Sequence, residues 1–295
     1  MKGFYTVGYL LIVVFTLLNL AESIFVKTYA KRHGSGGMLM NAVIALFASV
    51  FFLITDEGGF YAPTEMFPYA IINALLFAAG FYSAFVAFKI GPYGLTRLIS
   101  NFSLTFSIFY GIFFLNEPTT AFTYVGIALI FVAMFLINYK GKSAGASEEG
   151  GISLKWFIYI VITVFSNGFL SIITRMQQIK FDNACSNEFQ FISIGGSFLI
   201  LATIGLITDR KRLGPILKHG TLYGIGAGIC NGAKNFVTLA IYLYLPLSTV
   251  SPLKTSLGMI AAFVVSLIFY KEKYSKRQMI GVLCGVIAVI MLTLK

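Results

Sequence analysis

Charge is what this sequence has least of. Asp, Glu, Lys and Arg make up 11% of the 295 residues, against 58% hydrophobic residues and a mean hydropathy of +0.85. A soluble domain carries about 25% charged residues. This chain lacks the charge to cover a water-facing surface, which excludes a soluble globular protein and makes lipid its solvent. Acid is scarcer than base, so the formal net charge is +11. No basic patch with interleaved aromatics stands outside the apolar runs, so nucleic acid is not an expected partner. The Lys and Arg residues sit in short loops, where they orient membrane helices.

Other absences narrow the chemistry. The only histidines, His33 and His219, are too few and too distant in sequence to suggest a metal site. Cys185, Cys230 and Cys284 show no CxxC spacing and lie in or beside apolar segments, as small core residues do. The Gly141-Lys142-Ser143 stretch lacks the spaced glycine of a phosphate-binding loop, and Gly224, Gly226 and Gly228 lie inside an apolar run. No enzyme signature and no cofactor are therefore expected. The apolar run from Thr6 to Val26 is longer than a signal-peptide core and has no A-x-A site before Lys31-Arg32-His33, so it reads as a first membrane span.

What is present is long apolar runs. A span needs about 20 mostly apolar residues. Ten segments qualify: 6–28, 37–54, 68–89, 95–114, 120–138, 155–176, 187–207, 219–243, 248–270 and 277–294. The longest polar stretch, from Lys140 to Ser153, has the Gly/Ser-rich composition of a flexible linker. It divides the chain into two five-helix units, 1–139 and 155–295, joined by 140–154.

The two units read as copies. Leu53-Ile54-Thr55-Asp56 recurs as Leu206-Ile207-Thr208-Asp209. Pro92, Glu117 and Gly126 have counterparts in Pro246, Glu272 and Gly281, and Asn19 and Lys27 in Asn167 and Arg175. Five spans per copy place the second copy upside down, the inverted symmetry of many secondary transporters. The expected fold is all-α and integral to the membrane, with ten transmembrane helices in two inverted repeats. Gly224, Gly228 and Gly232, and likewise Gly281 and Gly285, recur every four residues, the spacing that lets helix backbones approach closely in lipid.

Orientation follows from the basic residues. The loops on the side opposite the termini hold 16 of the 22 Lys and Arg, and the side of the termini holds 5. The positive-inside rule then puts both termini outside a multi-pass protein of the cytoplasmic membrane.

Charges within spans are costly, at least about 2.5–3.5 kcal/mol each at a helix centre, so each needs a partner or a polar cavity. Glu22 shares a face with Thr16, Asn19 and Ser23. Lys234 shares one with Asn231, Asn235 and Thr238. Further stripes are Arg97, Asn101 and Thr105; Ser251, Lys254 and Thr255; and Asn167, Ser171 and Arg175. Five polar stripes cannot all face lipid, so they point to an interior path. Alternatives stay open for most of them. Glu22 reads either as a proton-coupling group or as the buried partner of Lys234. Lys27, Arg175, Arg97 and Lys254 lie near span ends, where snorkelling to headgroups is the other reading. Glu117 and Glu272 sit beside turns and read as architectural, and Glu188 as a carboxylate at a helix N-terminus.

Two five-helix copies with the paired Pro–Glu–Gly landmarks resemble the drug/metabolite transporter superfamily, in its EamA-type branch. The resemblance covers nearly the whole chain outside the linker. It implies a substrate cavity between the halves and alternating access without ATP. It also implies cytoplasmic termini, against the charge count, which is kept here. Ala21-Glu22 is similar to the Ala-Glu of small multidrug resistance proteins, which implies proton exchange for cationic drugs. Lys254-Thr255 is similar to the lysine region of triose-phosphate and nucleotide-sugar translocators, which implies binding of anionic phosphates, with Arg97 and Lys234 fitting that arrangement. Interior cations outnumber the one deep carboxylate. The expectation is therefore a secondary transporter for a small polar metabolite, an amino acid or organic anion. Its substrate residues would be Arg97, Asn101, Asn231, Lys234, Asn235, Lys254 and Thr255, with Glu22 as the coupling or ion-pairing group. The alternative is a proton-coupled exporter of lipophilic cations using Glu22.

Overall fold

The computed structural model describes residues 2–34, 36–56, 58–91, 93–138, 153–269 and 275–293. Pro92, Glu272 and residues 139–152 of the expected linker lie outside these, as does the side chain of Arg97. Among the described residues every regular element is helical.

The first half contains α1 (Lys2–His33), α2 (Gly37–Ile54), α3 (Phe67–Ile90), α4 (Tyr93–Asn101), α5 (Leu104–Phe109) and α6 (Ala121–Asn138). The second contains α7 (Leu154–Lys180), α8 (Ser186–Thr208), α9 (Thr221–Tyr244), α10 (Leu247–Phe269) and α11 (Lys276–Thr293). Each of the ten expected segments falls on one of these rods, with one departure. The segment 95–114 is not one straight helix. Between α4 and α5 the backbone tightens to i→i+3 bonds, Phe102 N–H to Ile99 O at 2.9 Å and Thr105 N–H to Phe102 O at 3.0 Å. After α5 it widens into a π-helical turn, Tyr110–Phe114. Among the described residues, six helices are long and apolar enough to cross a membrane: α1, α2, α3, α7, α8 and α11. α9 and α10, which carry Lys234 and Lys254, are not among them.

Local chemistry fixes the helix ends. Ser153 caps α7, its Oγ accepting from Trp156 N–H at 3.1 Å. The α7–α8 connection passes through Asp182, Asn183 and Cys185, all with positive φ. Burial, then the neighbouring Glu188 and Asp56, pushes the Cys185 thiol up. Glu188 stands in the first turn of α8, as a helix-N-terminal carboxylate. Its Oε1 also accepts from Tyr61 N–H at 3.1 Å in the loop before α3.

The repeated landmarks prove to be points where the halves meet. Asp209, after α8, accepts from Met38 N–H in the first turn of α2 at 3.0 Å. At the other end Asn187, in the first turn of α8, donates to Thr55 O after α2 at 3.3 Å. So α2 and α8 run antiparallel, each copy of Leu-Ile-Thr-Asp closing the start of the other's helix. α6 and α11 are antiparallel too. A β-carbon on Gly126 would meet Leu292, and one on Gly281 would meet Leu136 and Ile137. Elsewhere α1 packs on α9 and α3 on α7; α2 packs on α9 and α3 on α8; α1 packs on α10 and α5 on α7. Each pairing in one half thus has a counterpart in the other.

Glu117 is architectural, as its place beside a turn suggests. Its two carboxylate oxygens accept from Leu247 N–H at 2.7 Å and Ser248 N–H at 2.8 Å, at the start of α10. These are amides that no helix can satisfy internally. Glu117→Ala should therefore lower stability by about 2–3 kcal/mol, the cost of orphaning charge-assisted bonds. Glu117→Gln, which keeps one acceptor, should lower it less. Thermal unfolding of the two variants in detergent reads this directly; equal melting temperatures for wild type and Glu117→Ala would remove the cap.

Candidate functional site

α1 and α9 cross along a face where both are polar. Glu22 of α1 forms an ion pair with Lys234 of α9, with side chains only 15% and 17% exposed. Asn231 Nδ2 donates to the other Glu22 oxygen at 2.9 Å, and Lys234 also donates to Asn19 Oδ1 at 3.4 Å. Asn235 sits one turn beyond Asn231 and donates to its Oδ1 at 3.0 Å. That bond occupies the Asn231 oxygen and turns its NH2 group toward Glu22. Glu22 is thus the partner of Lys234.

The ion pair forms one wall of a cavity of about 320 Å³, room for about ten water molecules at their liquid volume. The polar lining is Asn19, Glu22, Ser23 and Lys27 of α1, Asn41 of α2, Ser197 of α8, and Asn231 and Lys234 of α9. Phe77 and Phe81 of α3 add an aromatic wall, their rings stacked at 6.2 Å between centroids and 12°. The lining residues of α1 and α2 all lie in the half of each helix nearer the loop that joins them. Lys27, exposed near the end of α1, also lines the cavity.

The remaining expected residues separate from this cavity. Lys254 of α10 donates to Thr238 Oγ1 at 3.1 Å and lies 4.3 Å from the centroid of the Phe15 ring. Thr238 in turn donates to Lys234 O at 2.9 Å, so Lys254 joins the site through one intervening hydroxyl. Thr255 spends its hydroxyl on Ser251 O at 3.0 Å. Asn101 lies on α4, which packs on α3, α6 and α7, and is not among the described residues that line the cavity. Arg175 stays inside, its guanidinium 5.9 Å from the Tyr242 ring centroid. Asn41, Phe77 and Ser197 are the residues that sequence reasoning missed; Asn41 is a single polar residue in an apolar run. Among the described residues no group of three potential metal ligands occurs. A larger groove of about 610 Å³ lies between α5 and α7, lined mainly by Phe106, Phe109, Phe114 and Phe169.

The second half of the chain, residues 154–294, matches the EamA-like transporter family. That matched region contributes Ser197, Asn231 and Lys234 to the cavity, and the first half supplies the facing wall. Two curated relatives are 24% identical to this chain over 269 residues, covering 89% of it and 87% of themselves. One is from Listeria innocua and one from Listeria monocytogenes, and the name of each describes it provisionally as a sugar uptake protein. A solved crystal structure superposes with a TM-score of 0.69 at 14% identity, covering 99% of this chain and 98% of that one. Its likeness is one of fold. With its long apolar helices, the chain is a multi-pass membrane protein.

Proposed function

We infer that this protein is a secondary transporter that moves a small, polar, hydroxyl-bearing solute by alternating access. The observation that carries the reading is the composition of the cavity wall. Amides and hydroxyls of Asn19, Ser23, Asn41, Ser197 and Asn231 surround an ion pair that neutralises itself. Such groups both donate and accept, as a sugar hydroxyl does, and Phe77 and Phe81 offer an apolar face to the carbon skeleton. The provisional names of the two Listeria relatives point the same way.

The helix pairings support ten spans arranged as two inverted five-helix repeats, 1–139 and 155–295, joined by 140–154. α2 and α8 lie antiparallel, as do α6 and α11, as equivalent helices in inverted copies must. With the Lys/Arg-rich side in the cytoplasm, the termini are outside the cytoplasmic membrane and the cavity lies toward the inside.

One observation favours a second reading. Lys27 also lines the cavity, so two ammonium groups face one carboxylate. An amino acid or organic anion would exploit that excess. Export of lipophilic cations has less support, because the cation must first displace Lys234 from Glu22.

Thermal stabilisation of the detergent-purified protein separates these readings. The panel contains hexoses, pentoses, amino acids, organic acids and quaternary ammonium compounds. A neutral sugar at about 100 times its Kd should stabilise the wild type by about 2.7 kcal/mol. The same sugar should stabilise Asn41→Ala much less. Stabilisation by carboxylates alone replaces the sugar with an anion. Stabilisation by quaternary ammonium alone, lost in Glu22→Gln, installs the exporter.

A further inference from the structure

A second group of polar side chains lies beyond the cavity, toward the α7–α8 loop. Asn73 of α3, Gln177 and Gln178 of α7, and Gln190 and Ser193 of α8 are 0, 0, 1, 4 and 0% exposed. Each has at least one polar atom with no partner among the described residues: both amide atoms of Asn73, the Oε1 of each glutamine and the Oγ of Ser193. Asn73 is decisive, because exchanging its amide nitrogen and oxygen changes nothing.

These residues share one level of the bundle. Ala70 of α3 and Phe189 of α8 belong to one apolar cluster, with Ile173 of α7 and Ile192 of α8 packed on it. One turn further on, Gly196 of α8 lies against Ala74 of α3. Asn73 falls between Ala70 and Ala74, and Ser193 between Phe189 and Gly196. Gln177 lies one turn along α7 from Ile173.

They also continue the lining of the cavity. On α3 the residues Asn73, Phe77 and Phe81 recur every four positions, and the last two line it. On α8 the spacing of Gln190, Ser193 and Ser197 keeps one face, and Ser197 lines it. Gln178 ties this level to α9, donating to Leu239 O at 3.1 Å. Leaving a buried polar group unpaired costs about 1–3 kcal/mol. Five together, three of them on two stripes that lead out of a cavity, are poorly explained as packing, for which apolar residues of the same size would serve better.

We propose that Asn73, Gln190 and Ser193, backed by Gln177 and Gln178, form a second solute station, closed in this conformation and open to the opposite face in the other. It rests on the transport reading above and extends it. The five side chains are amides and one hydroxyl without charge, which suits a neutral hydroxyl-bearing solute; the nearby cation on α7 is Arg175, one turn from Gln178. The solute then moves between two hydrogen-bonding sites along one track, Phe77 lying between them.

The test uses the full-length protein in proteoliposomes, with Cys185, Cys230 and Cys284 replaced by serine. S197C, S193C and N73C are each exposed to a membrane-impermeant methanethiosulfonate applied to one face at a time. S197C should react from the face of the α1–α2 loop. S193C and N73C should react from the face of the α7–α8 loop, and D-glucose, D-ribose or whichever panel sugar stabilises the protein should slow S193C several-fold. Inert S193C on both faces, or reaction only from the α1–α2 side, overturns the station. S193C changes one atom and decides alone if N73C does not fold. The two readings fail separately. A stabilising sugar with an inert S193C removes the station and leaves the transporter. Far-face labelling that no panel sugar slows overturns the station's solute and leaves a path open to both faces.

Discussion

Glu22→Ala should abolish solute uptake and destabilise the protein at the same time. Lys234 would remain 17% exposed with only the long Asn19 contact, and Asn231 would lose the acceptor it is turned toward. Removing one member of a buried pair costs about 3–5 kcal/mol, because the charge left behind is uncompensated. Lys234→Met should cost a similar amount. The double variant Glu22→Leu with Lys234→Leu should recover most of the stability, since no charge is left stranded, and still fail to transport. A double-mutant cycle on thermal unfolding therefore separates the two roles of the pair. Additive losses, or an active double leucine variant, would mean that the pair is neither coupled nor part of the path.

Gly228→Leu should leave no folded protein. Gly228 stands where α9 crosses α2 most closely. A β-carbon there would lie 2.8 Å from the Ile44 carbonyl oxygen and 3.3 Å from the Ala48 nitrogen. Those are backbone atoms of a buried helix and have nowhere to go. Overpacking a core costs about 1–3 kcal/mol when side chains can yield, so a clash against backbone exceeds that range. Gly228→Ala should lower the melting temperature clearly, and Gly224→Ala less, because its obstacle is the Val43 side chain. Gly258→Ala, with nothing near the new carbon, is the control and should be silent. Size-exclusion profiles and melting curves of the four variants give the ranking. A monodisperse Gly228→Leu protein would show that α2 and α9 do not touch in the membrane.

Much of this was legible in the sequence, for identifiable reasons. Lipid imposes helices, so runs of apolar residues located every rod. The cost of a membrane charge singled out Glu22 and Lys234, and helical spacing put Asn231 and Asn235 on the same face as Lys234. The break near Asn101 escaped because the segment 95–114 is apolar throughout on average. Asn101, Lys254 and Thr255 share their stripes' faces, but a stripe reveals a shared face and not which helix it meets. Asn41 escapes for the opposite reason: a lone polar residue in an apolar run forms no stripe. The stacking of His33 on His219, with centroids 4.9 Å apart, joins residues too distant in sequence for any local pattern. The repeat of Leu-Ile-Thr-Asp was visible, but its purpose needed both helix starts in space.

The meeting of α1 with α9 has an equivalent in that of α7 with α3, and the two are not alike. Asn19 bonds Lys234 on the first; on the second, Asn167 faces Gly80, the glycine at the matching position of α3. A hydroxyl pair, Ser83 with Thr163 at 2.9 Å, is the nearby polar contact there. Under the alternating access proposed above, two identical seams would leave the two conformations equal in energy. A half-buried ion pair on one seam, against a hydroxyl pair and the exposed Lys180–Glu65 contact on the other, makes them unequal. A difference of about 1.4 kcal/mol would hold the resting molecule ten to one on one side. The two faces would then bind solute with unequal apparent affinity, while the direction of net flow stays with the gradients.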